Sequence, residues 1–327
     1  MTTAYFSKRA LFCALFCTAG SQAYAQGYPS RPVRVIAEFG AGSGGDLLLR
    51  AVQPALAESL GQPLIIENRP GAGGIVAAEQ VARSAPDGYV IGAFTPNALI
   101  SRRFLAKGGA GIDVLKDLTP LTAIGETVTL VLANQSSPVK TMKELIDYGK
   151  AYPGKLSYGT SGFGTVHHLS QEQIGMITGA NLVHVPYKTG ADAVTGLVSE
   201  QIPISYAILG SIGPHLRSGK VFALARVGTR RYEGLPNVPA LSEFAPGFEG
   251  PPSWTGLFGP ANLPSAVLRR VGNDSVKVLH QPAIKARMAE AGFEVIGNTP
   301  EEYAGLIRRQ IDLVERIVKA ANIKPID

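Results

Sequence analysis

Val33-Arg34-Val35-Ile36-Ala37-Glu38-Phe39-Gly40-Ala41-Gly42-Ser43-Gly44-Gly45-Asp46 decides the fold class. Its front half is apolar and β-branched, as a buried parallel strand is, and it runs through a glycine-rich turn into the helical pattern of residues 47–60. Four glycines in six positions exceed what a helix cap requires. Glycines bring successive N–H groups close to a ligand, and the helix N-terminus adds roughly half a positive charge. The loop therefore reads as an anion cradle, with Asp46 as the expected N-cap. Further on, residues 63–67 and 89–94 read as strands and 74–84 as a helix, which makes three βα units of a doubly wound sheet.

An irregular stretch, 101–119, leads into one expected apolar strand over 121–133. Helices at 141–151, 166–178, 191–199 and 212–218 then alternate with strands at 155–158, 182–185, 202–207 and 222–226. A Pro- and Gly-rich ordered loop spans 230–252, a strand 253–259, and long helices 264–291 and 299–322. Residues 155–169 repeat the plan of 33–48: strand, glycine loop, helix.

Composition narrows the function classes. The 327 residues are 45% apolar with a net charge of +6, which excludes disorder and a multi-span membrane protein. Lys8 and Arg9 precede an apolar run over 10–20, and Ala23-Tyr24-Ala25 offers small residues for signal peptidase, so residues 1–25 read as a signal peptide cleaved after Ala25. The run is half the length a bilayer span needs. Cys13 and Cys17 both follow phenylalanine, which argues against a lipoprotein. Removing 25 residues leaves 302, takes both cysteines, and with Lys8 and Arg9 gone lowers the charge to +4. So mild a surplus gives no basis for nucleic-acid binding.

Two enzyme readings compete. Gly40, Gly42 and Gly45 match the dinucleotide pattern, with Glu67 about twenty residues on. Export weighs against a nicotinamide oxidoreductase, and Glu67 leads into a second glycine turn, Asn68-Arg69-Pro70-Gly71-Ala72-Gly73-Gly74. The second loop, Gly159-Thr160-Ser161-Gly162-Phe163-Gly164-Thr165, precedes His167-His168, so an exported serine hydrolase using Ser161 and either histidine is the other reading. It lacks the nucleophile-elbow glycine, because position 163 is Phe. The five histidines show no zinc spacing, and neither a metal nor a cofactor is expected. Asp192, near the start of the 191–199 helix, reads as compensation of the helix dipole unless it faces a cleft.

Several segments together resemble the Bug-type extracytoplasmic solute receptors, the binding proteins of tripartite tricarboxylate transporters. They are Tyr28-Pro29-Ser30-Arg31-Pro32-Val33, Glu67 through Gly74, Pro86-Asp87-Gly88-Tyr89, Gly162 through Leu169, His184-Val185-Pro186-Tyr187-Lys188, Arg231 with Leu235-Pro236-Asn237-Val238-Pro239, and Trp254-Thr255-Gly256-Leu257. The resemblance implies an α/β, two-lobed periplasmic binding protein of the type II, Venus-flytrap kind. Its two doubly wound lobes, 26–127 plus 253–327 and 128–252, are joined by crossing strands near 127–132 and 254–258. It implies a carboxylated solute held by Phe39, Ala41, Gly42, Ser43, Gly44, Gly45, Asp46 and Thr95 from one lobe, and by Thr160, Ser161, Gly162, Gly164, Thr165 and Asp192 from the other. It implies capture without catalysis, a tripartite-type membrane permease as partner, and a monomer. The chain departs from the family pattern at Glu38 (usually Pro), Gly45 (usually Thr or Ser), Thr189 (usually Gly) and Asp192 (usually Pro). A cleft-facing Asp192 would shift preference toward a zwitterion or a less charged solute.

Overall fold

The computed structural model describes residues 27–109 and 111–325. The expected signal peptide lies outside the described residues. Strands Val33–Ala37 (β1), Leu64–Asn68 (β2), Val90–Phe94 (β3) and Leu118–Thr127 (β4) belong to a first sheet. Thr129–Asn134 (β5), Ser157–Thr160 (β6), Val183–Pro186 (β7), Ile204–Ile208 (β8) and Val221–Arg226 (β9) form a second. Trp254–Pro260 (β10) and Phe293–Val295 (β11) return to the first.

The strand orders are β2-β1-β3-β10-β4-β11 and β7-β6-β8-β5-β9. Without the edge strand β11 the two sheets share one plan. In each, three parallel strands are followed by a strand antiparallel to both its neighbours, β10 in the first and β5 in the second. The lobes exchange these strands: β5 follows β4 across Val128, and β10 arrives after the second lobe's long loop. The expected single strand over 121–133 is thus two strands in two sheets. Their run of apolar residues and threonines hid the break, because both strands are largely buried on both faces.

Alternation along β1 sends Val33 and Val35 to one core and Ile36 to the other. The first core is roofed by helix Gly44–Leu60 (α1), and the second by helix Ile75–Ala82 (α2) and the C-terminal helix Pro300–Ala320. That last helix opens on a reciprocal Thr299–Glu302 capping box with Pro300 in its first turn. It also packs on helix Val166–Thr178 of the second lobe, whose Leu169 joins the first lobe's core. The helix expected over 264–291 is split into Ser265–Leu279 and Pro282–Glu290. Pro282 cannot donate a helical hydrogen bond and holds Gln281 extended (ψ 136°).

Candidate functional site

In an open α/β sheet, ligands sit beyond the carboxyl ends of the strands where the winding reverses. That point lies between β1 and β3 in the first sheet and between β6 and β8 in the second. The loops there are 38–46 with Thr95, and 161–165 with the segment after Ile208. Parallel winding puts both glycine loops on the edges that meet at the hinge, where Leu209 N–H donates to Val128 O (2.7 Å) and Val227 N–H to Thr129 O (2.9 Å).

The first loop is held from within. Helix α1 begins one turn earlier than expected, with Ser43 as its extended N-cap (φ −71°, ψ 164°), so Asp46 is not the cap but lies in the first turn. Its carboxylate, 1% exposed, accepts Gly42 N–H (2.8 Å) and Arg50 Nε (2.8 Å) on Oδ2, and Asn68 Nδ2 (2.9 Å) on Oδ1. Burial alone would raise its pKa, but the bonds from Arg50, Asn68 and Gly42 outweigh it and hold the carboxyl at about 2. Asn68 Nδ2 also donates to Phe39 O (3.0 Å), which ties the loop to β2. Gly45 has a packing reason: a Cβ there would stand 2.6 Å from the Phe39 ring.

Glu38 bridges the two sides of the reversal point. Its Oε1 accepts both Thr95 N–H (2.9 Å) and the Thr95 hydroxyl (2.5 Å), so both polar groups of Thr95 are occupied by the chain itself. Gly74 (φ +98°) must be glycine, because a Cβ would collide with Glu38 Oε2 and Ala98. Burial pushes the Glu38 carboxyl up to about 8, against the lowering effect of the Thr95 bonds. Its folded value exceeds its unfolded one, so its stabilisation is complete below about 4.5 and is lost as pH rises through about 8. Glu38→Gln should therefore gain melting temperature relative to wild type between about pH 4.5 and pH 8 and level off above that. A gap independent of pH would contradict this assignment.

The second loop is braced by side chains from three elements. Thr160 Oγ1 accepts Gly162 N–H (3.1 Å) and meets His184 Nε2 (2.6 Å), and His168 Nδ1 accepts Gly164 N–H (3.1 Å). Thr165 caps helix Val166–Thr178, its hydroxyl accepting His168 N–H (3.4 Å) and donating to Gly162 O (2.8 Å). The rings of His168 and His184 stack at 4.2 Å, with Phe163 edge-on to both. Burial lowers His167, His168 and His184 to about 4, with the charge of His184 adding to the effect on His168, so all three are neutral at pH 7. The side chain of Leu105 from the first lobe lies where a Cβ on Gly164 would be.

The geometry supports neither enzyme reading: His168, with Glu172 3.7 Å from its Nε2, accepts Gly164 N–H on Nδ1 and is not the histidine that meets Ser161. Ser161 Oγ does meet His167 Nδ1 (3.1 Å), but Nε2 is buried without a partner, so no carboxylate orients the ring as a hydrolase base requires. Glu67 is gripped by Arg34 (2.6 and 3.0 Å) and Arg69, and is not offered to a ribose. Asp192 lies in the first turn of helix Gly190–Val198. It is exposed, its N–H donating to Thr189 Oγ1 (3.1 Å) and its Oδ2 accepting the Thr189 hydroxyl (2.8 Å), which gives it a capping role.

At the hinge, Arg226 of β9 is 3% exposed and reaches into the first lobe, donating to Glu126 (3.1 Å) and Glu294 (2.6 Å), while Arg230 pairs with Glu294. A cavity of about 280 Å³ opens beside it, between Trp254, Val166 and Gln310. Sequence reasoning missed this cluster because no local pattern links residues 126, 226 and 294. Arg50 was readable, four residues after Asp46 on one helix face.

A family model described as the tripartite tricarboxylate transporter family receptor matches residues 48–323. The chain belongs to that family. A UPF0065 protein of Bordetella pertussis is 33% identical over 308 residues, covering 94% of each chain. Among solved structures, an R. palustris protein with adipate has 29% identity and a TM-score of 0.76, covering 91% of this chain and 100% of that one. The periplasmic binding protein BugD has 28% and 0.72 over the same shares. MatC of Rhodopseudomonas palustris with bound malate has 29% and 0.71, covering 89% and 100%. Receptors of this family are periplasmic and two-lobed, so the paired sheets described above are the two halves of a solute-binding protein.

Proposed function

We propose that this receptor captures a small organic acid between the loops 39–46 and 160–165, without covalent chemistry, and delivers it to a tripartite-type membrane permease. The observation that carries this reading is the pairing of two equivalent strand, glycine loop and helix units at the reversal points of facing sheets. Each presents the N-terminus of a helix, where N–H groups lack intrahelical partners and favour an anion. In the first lobe the backbone of Ala41, Gly44 and Gly45 supplies the donors, Ser43 N–H being held by Gly40 O (3.1 Å). In the second, Ser161, Gly162, Gly164 and Thr165 frame the opposing end. The adipate and malate bound by the relatives support a carboxylate ligand.

Closure around the acid excludes water, where charge-assisted hydrogen bonds are roughly twice as strong as neutral ones. Because the ligand binds the closed state better, it shifts the population toward the shape a permease recognises. The receptor acts as a monomer, exported with its leader cleaved after Ala25; N-terminal sequencing of the exported protein should then begin at Gln26.

The test is a melting-temperature screen of mono-, di- and tricarboxylates against amino acids and sugars. An acid at a hundred times its dissociation constant adds about 2.7 kcal/mol, or roughly 5–10 °C. Failure of every acid to shift the transition, with a shift from a sugar, would discard the reading.

A further inference from the structure

We propose that the cleft selects acids carrying one carboxylate and an apolar, aromatic body over di- and tricarboxylates, because the chain's own carboxyls take the Thr95 and Gly42 donors of the first lobe, which leaves fewer for a second carboxylate, and Phe163 offers a ring. The inference rests on the carboxylate reading above and narrows it.

The crevice between β1 and β3 is where the fold offers an anion its donors. Here Glu38 takes both the N–H and the hydroxyl of Thr95, and Asp46 takes Gly42 N–H. A carboxylate entering that crevice meets occupied donors and the negative charge of Asp46. Arg50, the cation beside the loop, has its Nε on Asp46 and one Nη on Asn68 (3.1 Å). Segments 39–46, 95–98 and 160–165 contain neither Lys nor Arg. In the second lobe, exposed Lys188 follows β7 in a segment that runs beside the second loop, where a Cβ on Gly162 would stand 3.7 Å from Tyr187 O and one on Gly190 3.9 Å from Ser161 Cβ.

The rims are apolar instead. Leu47, Val76 and Phe163 are each about half exposed, at 53%, 52% and 50%; Leu47 and Val76 lie in the first turns of the helices after β1 and β2, and Phe163 in the loop after β6. Phe163 is fixed rather than loose, with its ring edge-on to His184 at 4.8 Å and to His168 at 5.2 Å. A ring held upright and half uncovered is an offset-stacking partner for a planar ligand.

The experiment is calorimetric titration of the mature wild type and of Phe163→Ala with benzoate, phenylacetate, adipate and malate. The expected result is that the two phenyl acids bind at least about tenfold more tightly than adipate and malate in wild type. Phe163→Ala should lose that preference while its ligand-free melting temperature stays close to wild type, since the removed ring is half in solvent. Tighter binding of adipate or malate, or an unchanged preference in Phe163→Ala, overturns the inference and leaves the carboxylate reading standing. Binding of none of the four overturns the inference, and the carboxylate reading falls with it only when no other acid shifts the melting temperature.

Discussion

Asp46→Asn should lower the melting temperature by roughly 4–8 °C and weaken acid binding at least about tenfold, although no contact with ligand is assigned to its side chain. The carboxylate is buried and accepts from Gly42 N–H, Arg50 and Asn68. The amide has the same shape but only one acceptor oxygen, so its NH₂ group must face donors. A buried donor left without an acceptor costs about 1–3 kcal/mol. Loss of the Gly42 bond also frees the loop whose N–H directions define the anion site, so affinity falls along with stability. The sign with pH follows from a folded value of about 2 below the ordinary 3.8. The carboxylate's contribution is present above pH 3.8 and lost as pH falls toward 2, so the gap between wild type and Asp46→Asn should narrow below about pH 4. Calorimetry at neutral pH and melting curves down the acid range check both parts; an Asn variant that binds normally would show that the loop holds its shape without the carboxylate.

Arg226→Met should cost about 3 kcal/mol, a fall in melting temperature on the order of 6–12 °C. Arg226 is nearly sealed from solvent and bridges Glu126 and Glu294 across the lobes, so its removal leaves two carboxylates facing one another without the cation between them. The figure lies at the low end for a broken buried ion pair, because Arg230 still reaches Glu294 and Glu126 is about one-third exposed. Adding Glu294→Gln to the Met variant should restore part of the loss, since it removes one of the unmatched charges. A loss under about 1 kcal/mol would mean that the cluster behaves as an exposed ion pair. Because these residues sit where the chain crosses between sheets, small-angle scattering of Arg226→Met should also show a wider spread of lobe separations.

Much of the fold was legible because the relevant signals are local. Strand, glycine loop and helix follow one another within sixteen residues at 33–48 and fifteen at 155–169, and both units form where expected. The errors came where a local pattern has two tertiary outcomes. Residues 121–133 mix apolar residues with strand-favouring threonines whether they make one strand or two, and only the exchange of β5 between sheets decides between them. Glu38 could be flagged as unusual, yet its value depends on Thr95, fifty-seven residues away, and on the room left by Gly74.

By itself the sequence determined the class of fold, the two glycine loops and the family, since periodicity, turn chemistry and motif order are properties of neighbouring residues. The tertiary structure alone decided how those loops are equipped: that Thr95 and Gly42 give their N–H groups to the chain's own carboxyls, that the His167 ring beside Ser161 has a buried Nε2 without a partner, and that Arg226 ties the lobes at the hinge. Hydrogen bonds and burial act over a few ångströms in space, and the residues that meet there are up to about a hundred positions apart in the chain.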